Sequence, residues 1–510
     1  MQESGAADSL DAIRRGVEKE SLRIDQDGIL AQTPHPNTLG STLTHPHITT
    51  DYSEALLEFV TPVSNSIDGV LNCLNRIHTF VYQNIGDEKL WVNSMPCIVR
   101  GEESIPIAEY GSSNIGQMKN VYRRGLGYRY GKLMQAIAGI HYNFSLPDTF
   151  WDAWLPWGMR KEKRQGRISE HYFTAIRNFH RHSWLLFYLF GASPAVCKSF
   201  VDGRDHSLES FDEVTFYAPF ATTLRMSRLG YHNSAQTHIN ICYNSLDEFV
   251  DSLRSATDTS FADYEKIGVK VNGEYRQLNT NLLQIENEYY AAVRPKRVIH
   301  SGERPTTALA TRGVEYIEVR CIDLNPFDPV GIDADTMRFI DMFLLYCLFS
   351  PSPQITDAET DAIDFNQTEV AFRGRAPELN LRNNGNTVSF QNEASKILNE
   401  LDAVAEMFDA KLGCKDYSAS LNNAKAKLTE PDRIPATQII EEMRLDDDSF
   451  VEFALRKANE HAEYFQQQTL SKKSEKLFTE LATRSLNEQA EIEANDKVDF
   501  DEFLNEYFSH

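Results

Sequence analysis

GVEYIEVRCI, residues 313–322, and GIHYNFSL, residues 139–146, decide the fold, because both alternate with the two-residue period of an extended chain. In the first, Glu315, Ile317 and Val319 share one face and Tyr316, Glu318 and Arg320 the other. In the second, His141, Asn143 and Ser145 oppose Ile140, Tyr142 and Phe144. THINICY, residues 237–243, repeats the pattern, with His238 and Asn240 against Ile239 and Ile241. Each stretch reads as a strand with a polar face over an apolar one. Helical spacing is expected over 67–85, 169–190 and 333–349, too irregularly placed for strict strand-helix-strand alternation. The fold class read from the residues is α+β with a mixed or antiparallel sheet.

Composition narrows the function classes. The 510 residues are 41% hydrophobic and 25% charged, which suits a packed globular chain and not a disordered one. Lys and Arg total 51 against 74 Asp and Glu, so the net charge is −23, the wrong sign for a nucleic-acid or anionic-membrane partner. The longest apolar runs, 184–190 and 339–349, fall short of the roughly 20 residues a bilayer requires, and the second contains Asp341. The first eleven residues lack the basic and apolar regions of a secretory signal, so a cytoplasmic location is expected. Cys73, Cys97, Cys197, Cys242, Cys321, Cys347 and Cys414 are widely spaced with no paired motif, as scattered reduced thiols would be. No glycine follows Gly413, and the tail reads as helices over 393–411, 447–468 and 470–490.

Chemistry is carried by acidic residues in strand-like or apolar settings. Glu18 and Glu20 in RRGVEKESLRI are two apart, so a strand would present both on one face about 7 Å apart, within reach of shared divalent ions. A Glu-x-Glu pair on a solvent-facing strand is commonplace, so this signal is weak alone. In ITTDYSEALLEFVTP, Thr49 to Asp51 resembles a helix cap, with Glu58 seven residues on, about two helical turns. Glu318 and His141 add two further candidate ligands. Tyr122-Arg123-Arg124, Arg225, the RPKR run at 294–297, Arg312 and Arg320 are positive islands in an acidic chain. Carboxylates for divalent cations and arginines for anionic groups are the division of labour of metal-assisted phosphoryl transfer from ATP. GLGYRYGKL, residues 125–133, imitates a phosphate loop but fails both templates, since Leu126, Leu133 and Tyr130 stand where glycine, Ser/Thr and glycine are needed.

Longer blocks carry a resemblance. RGVEKESLRI, LTHPHITTDYSEALLEFVTPV, SMPCIV, YGSSNIGQMKNVYRRGLGYRYGKLMQAIAGIHYNFSLP, LFGASPAVC, NEYYAAVRPKR and GVEYIEVRCIDLNPF, in that order, resemble the proteobacterial type of glutamate-cysteine ligase from about residue 14 to 350. The resemblance implies a curved, mostly antiparallel sheet of the glutamine synthetase-like catalytic type, surrounded by helices, with a catalytic domain over 1–390 and a helical C-terminal region over 391–510. It implies phosphorylation of the γ-carboxylate of L-glutamate by ATP and attack of the L-cysteine amine on the acyl phosphate. By position in the motifs, Glu18, Glu20, Asp51, Glu58, His141 and Glu318 resemble the ligands of Mg2+ or Mn2+, with His141 and Glu318 nearest the transferred phosphate. Arg123 and Arg320 resemble the clamps on the γ-phosphoryl group, Tyr290 part of the nucleotide wall, and Tyr122, Arg225 and Tyr231 the amino-acid side of the pocket. Implied partners are these small molecules alone, with feedback by glutathione and a monomeric state as further expectations. The lead before RGVEKE is shorter than is usual in the family, and no ATP-grasp module follows residue 350, against the fused two-step type. The rival readings are another ATP-dependent glutamate-amine ligase and a catalytically silent nucleotide-binding relative.

Overall fold

Strand β1 (Arg14–Ile24) is the spine of the molecule, and its eleven residues have sheet partners on both sides. The computed structural model describes residues 4–156, 158–230, 239–300 and 302–509. The main sheet contains β1, β2 (Ile48–Thr50), β3 (Leu56–Val60), β4 (Lys89–Leu90), β5 (Ile140–Ser145), β6 (Val293–Lys296) and β7 (Tyr316–Ile322), in the order β6-β7-β5-β1-β3-β2 with β4 beside β1. Every pairing is antiparallel. Both alternating stretches that decide the fold are strands, and they pair with each other through Ile317–Phe144 and Val319–Tyr142.

Two local readings differ. Residues 49–58 form a hairpin of β2 and β3, not a helix start, and the Asp51 N–H donates to the Leu56 carbonyl at 3.0 Å. Apolar positions 48, 56, 57 and 59 are all buried against the sheet, and so short a run fits helical spacing and strand pairing alike. The alternating stretch at 237–243 also fails as a strand over its described part, 239–243. Its alternation has another cause. Tyr243 packs on His180, with ring centroids 4.2 Å apart, and on Phe249 at 5.4 Å, so helix contacts take the place of a ladder. His238 and Thr237 lie outside the described residues.

Helices α1 (Ile67–Tyr82), α2 (Asn114–Tyr130), α3 (Lys161–His182) and α4 (Ala334–Phe349) surround the sheet. Ser66, Ser113 and Asp333 cap α1, α2 and α4 by accepting a backbone N–H from the third residue on. The expected helix at 169–190 is interrupted at Ser183, after which a second helix runs Trp184–Phe190. In the tail, the expected helix at 393–411 is two, Phe390–Glu400 and Asp402–Leu412, meeting at the fully buried Leu401. Helices α5 (Asp416–Thr429), α6 (Phe450–Gln467), α7 (Lys472–Asn495) and α8 (Phe500–Ser509) follow, with a further helix over Pro435–Asp446 between α5 and α6. No helix among the described residues is long and apolar enough to cross a membrane.

The tail returns to α2. Leu504 of α8 packs with Met118 and Val121 of α2 in a cluster separate from the main core. Just before α8, Asp496 accepts the Asn114 N–H, and the Val498 carbonyl accepts from Asn114 Nδ2 at 3.0 Å. Glu493 accepts the Ser112 N–H at 2.8 Å. These acidic groups sit at the positive end of the α2 dipole, where negative charge is favoured.

Asp341 interrupts the apolar run of α4 for a specific reason. Its carboxylate faces the Arg15 guanidinium from the back of β1 at 2.7 Å, and the Tyr142 and Tyr417 hydroxyls donate to it at 2.8 and 3.1 Å. Arg15 also donates to the Ile13 and Asn65 carbonyls, so the buried pair is almost fully satisfied. Asp341→Ala is expected to lower unfolding stability by about 3–5 kcal/mol, because a buried guanidinium loses its counter-charge. Adding Arg15→Met should restore much of that loss. Urea titration of both variants checks it, and additive losses would count against the pairing.

Candidate active site

Alternation along β1 sends Glu18 and Glu20 to one face of the sheet and Lys19 to the other. Register then decides what they meet. Glu18 lies opposite His141 of β5, Glu20 opposite Glu58 of β3, and Glu318 of β7 opposite Asn143. Four carboxylates and an imidazole thus collect on adjacent strands. Glu18, Glu58 and His141 each turn one ligand atom to within 4.8 Å of the others, and no other such group occurs among the described residues.

Hydrogen bonds fix the set. His141 Nδ1 is 3.1 Å from Glu18, and its Nε2 is 3.7 Å from Glu20. Asn143 donates to the other Glu18 oxygen at 2.9 Å, and the Gly139 N–H donates to Glu20 at 2.7 Å. Glu318 lies between Lys296 at 3.3 Å and Arg320 at 3.1 Å, so the two side chains on this face of β7 do point together.

Electrostatics split the acids into two classes. Burial, then repulsion from Glu18, Asp51 and Glu20, pushes Glu58 well above the usual carboxylate range. Burial and the nearby Asp51 raise Glu20 to about 8 despite Arg225 and Arg320. Burial would also raise Glu318, but Lys296, Arg320, His141 and Arg294 outweigh it and hold it well below the usual range. Glu18 is likewise lowered, its burial overcome chiefly by the hydrogen bond with His141. His141 itself is held down by burial and by Arg320, which favours the neutral, ligand-competent ring.

Two arginines border the same set. Arg123 rises from α2, donates to the Asp51 and Lys119 carbonyls, and lies 4.6 Å from the centre of the Tyr110 ring. Arg320 sits 5.9 Å from the Tyr290 ring centre, and its Nε is buried with no acceptor among the described residues. Tyr122, Arg123, Tyr290 and Arg320 line a cavity of about 160 Å3 together with Glu20 and Asp51. A larger cavity of about 630 Å3 lies beyond Tyr290, lined by Arg225, Tyr289 and Asp361 among others.

Arg225 stands apart from the smaller cavity. It is fully buried, its Nη2 donates to the Arg320 carbonyl at 2.7 Å, and it lies 3.7 Å from Asp323. A Cβ at Gly139 would come within 2.0 Å of its guanidinium, so only glycine admits this approach. Tyr231 lies outside the described residues. Arg312, one of the sequence's positive islands, forms a peripheral pair with Glu303 at 2.6 Å and takes no part. The 125–133 stretch is the end of α2 and a turn at Gly131. Sequence reading did not single out Asn143, Gln135, Arg204 or Glu288 as site residues. Asn143 was visible on the polar face of its strand, whereas Gln135 and Glu288 lie in short 3-10 helices and Arg204 in a bend, all too short for periodicity.

The matches to known proteins agree with one another. Residues 1–370 match the family model described as glutamate-cysteine ligase. The chain is 51% identical over 509 residues to the glutamate-cysteine ligase of Alcanivorax borkumensis, covering 99% of this chain and 97% of that one. It is 50% identical over 498 residues to that of Pseudomonas aeruginosa, covering 96% and 93%. Among solved structures, the Francisella tularensis glutamate-cysteine ligase in complex with AMP superposes with a TM-score of 0.91 at 37% identity, over 98% of this chain and 97% of that one. A bifunctional glutathione synthetase from Pasteurella multocida shares the fold, with a TM-score of 0.73 at 23% identity, over 94% of this chain and 57% of that one. With the carboxylate face, the arginine wall and near full-length identity in agreement, the chain belongs to the glutamate-cysteine ligase family.

Proposed function

We propose that this site joins the γ-carboxylate of L-glutamate to the amine of L-cysteine, driven by ATP, giving γ-glutamylcysteine, ADP and phosphate, the first step of glutathione synthesis. One observation carries the reading. Carboxylates gather on a single sheet face beside Arg320, with Arg123 of α2 lining the same cavity, in a chain about half identical to ligases of that name over nearly its whole length.

Hard oxygen donors and one imidazole suit Mg2+ or Mn2+, and the upward shifts of Glu58 and Glu20 reveal a site short of positive charge. Glu18, Glu58 and His141 would hold one divalent ion, and Glu20, Asp51 and Glu318 would complete the ligand set. Bound there, divalent ions neutralise phosphate charge and polarise the transferred group. Arg320, held beside Glu318 with a free Nε–H, is aimed to receive the γ-phosphoryl oxygens, and Arg123 flanks it from α2. Tyr290 forms a wall shared by the two cavities, and Tyr122 faces the amino-acid side. Arg225, which lines the larger cavity and holds the Arg320 carbonyl, keeps the amino-acid role read for it, and the same role read for Tyr231 stays part of the proposal. No cysteine of the chain is required, because a substrate oxygen and then a substrate nitrogen attack in turn.

The same reading extends to a catalytic unit over 1–390 with the helical region 391–510 packed on it. It also extends to a cytoplasmic monomer regulated through glutathione.

Phosphate release with glutamate, ATP and a panel of amines should peak with cysteine. A peak with another amine would reassign the acceptor, and no release with any amine would remove the activity. Glu58→Gln and Glu318→Gln should each raise the magnesium concentration needed for half-maximal turnover, because an amide removes a ligand charge. Unchanged metal dependence in both would sink the ligand assignment. Arg320→Lys should lower kcat about tenfold or more, at least ~1.4 kcal/mol, with little change in Tm, since lysine loses the planar fork. Normal turnover with a lower Tm would make Arg320 a structural partner of Glu318.

A further inference from the structure

Arg204 is a cation inside the substrate cavity with no ion-pair partner among the described residues. It follows Gly203, whose φ of 73° turns the chain back after the short helix Lys198–Val201, and it reaches in beside Tyr52, Met134 and Gln135. Its guanidinium lies 5.3 Å from the centre of the Phe200 ring, and Nη2 is 3.0 Å from the Met134 sulfur, a weak acceptor. Nη1 is shielded from solvent and has no acceptor among the described residues. Burial lowers the pKa of the group, with Glu102 the nearby charge that opposes the shift.

The other arginines lining this cavity are engaged. Arg123 donates to the Asp51 and Lys119 carbonyls, Arg294 to those of Asn287 and Tyr289, and Arg320 to Glu318. Arg204 alone meets only a sulfur and an aromatic face. A partly desolvated guanidinium whose nearby charge, Glu102, forms no ion pair with it is unfavourable in the free protein, and a bound carboxylate would relieve it with two parallel hydrogen bonds. Tyr52, Leu126, Tyr130 and Met134 form the surrounding wall, suited to the short aliphatic part of an amino acid.

We infer that Arg204 binds the free α-carboxylate of an amino-acid substrate, the carboxylate that takes no part in the reaction. This rests on the function proposed above. Glutamate and cysteine each bring one such group, and the test separates them. Arg204→Met keeps the apolar stem on Phe200 and removes the charge. Cysteamine is cysteine without its α-carboxylate, and 4-aminobutyrate is glutamate without its own.

The variant should lose tenfold or more in kcat/KM with the natural pair, mainly through the KM of one amino acid, at unchanged Tm. With the decarboxylated counterpart of that amino acid, wild type and variant should agree within twofold, and Arg204→Lys should recover part of the loss with the natural pair. Where an analogue turns over too slowly, the same comparison is made on its inhibition constant against the natural reaction. A loss that persists with both analogues would assign Arg204 to packing or to the nucleotide, and no loss with the natural pair would equally overturn the inference. Wild-type turnover with glutamate and cysteine tests the proposed function separately, and if it fails, calorimetric binding of the two amino acids to wild type and variant decides the inference.

Discussion

Repulsion between carboxylates on one sheet face is the constraint on which the rest of the site depends. Two full charges 4 Å apart repel by about 4 kcal/mol at an effective dielectric near 20, and the face gathers Glu18, Glu20, Glu58 and Glu318. The protein relieves this unevenly. Lys296 and Arg320 neutralise Glu318, His141 and Asn143 hold Glu18, and burial beside the other acids pushes Glu58 well above the usual carboxylate range. The arrangement is tolerable in the free protein and favourable only when positive charge arrives.

Such a face needs a rigid support. Lys19, between the two acids of β1, points to the opposite side and is held 2.7 Å from His78 of α1, whose Nδ1 is engaged by the Leu74 carbonyl. His78 in turn stacks on Phe465 of α6 at 5.2 Å. The Arg15–Asp341 pair ties the same strand to α4. Arg15 and Lys19 at the back of β1 are thus pinned to helices, and the acids on its front inherit fixed positions. The tail helices bear directly on this spine.

The strands were legible because each buries one face and offers the other to chemistry, so a period of two survives in the residues. That is why Glu18 and Glu20 could be read as sharing a face, and His141 and Glu318 each as lying on the polar face of its own strand. The hairpin at 48–60 was misread because Leu56, Leu57 and Phe59 are all buried, and a strand with apolar residues on both faces loses its alternation. The stretch at 239–243 failed in the opposite way, its alternation reflecting contacts with helices. Arg204 and Gln135 left no periodic trace, since a bend and a four-residue 3-10 helix are too short to show one. The distinction between Arg312, paired with Glu303 at the periphery, and Arg320, set over the acids, exists only in three dimensions.

The cap on α2 has a consequence for how the protein comes into being. Asn114 opens the helix that carries Arg123, and the carboxylate that secures it belongs to Asp496, 382 residues later. Contacts of such high sequence separation form late in a folding chain. At ribosomal speeds of about 5–20 residues per second, roughly 20 to 80 seconds pass between the synthesis of the two partners. Until then the wall of the pocket that holds Arg123 rests on its own hydrogen bonds, without its latch. The carboxylate-bearing strands β1, β3, β5 and β7 are thus synthesised well before the residues that latch the arginine helix.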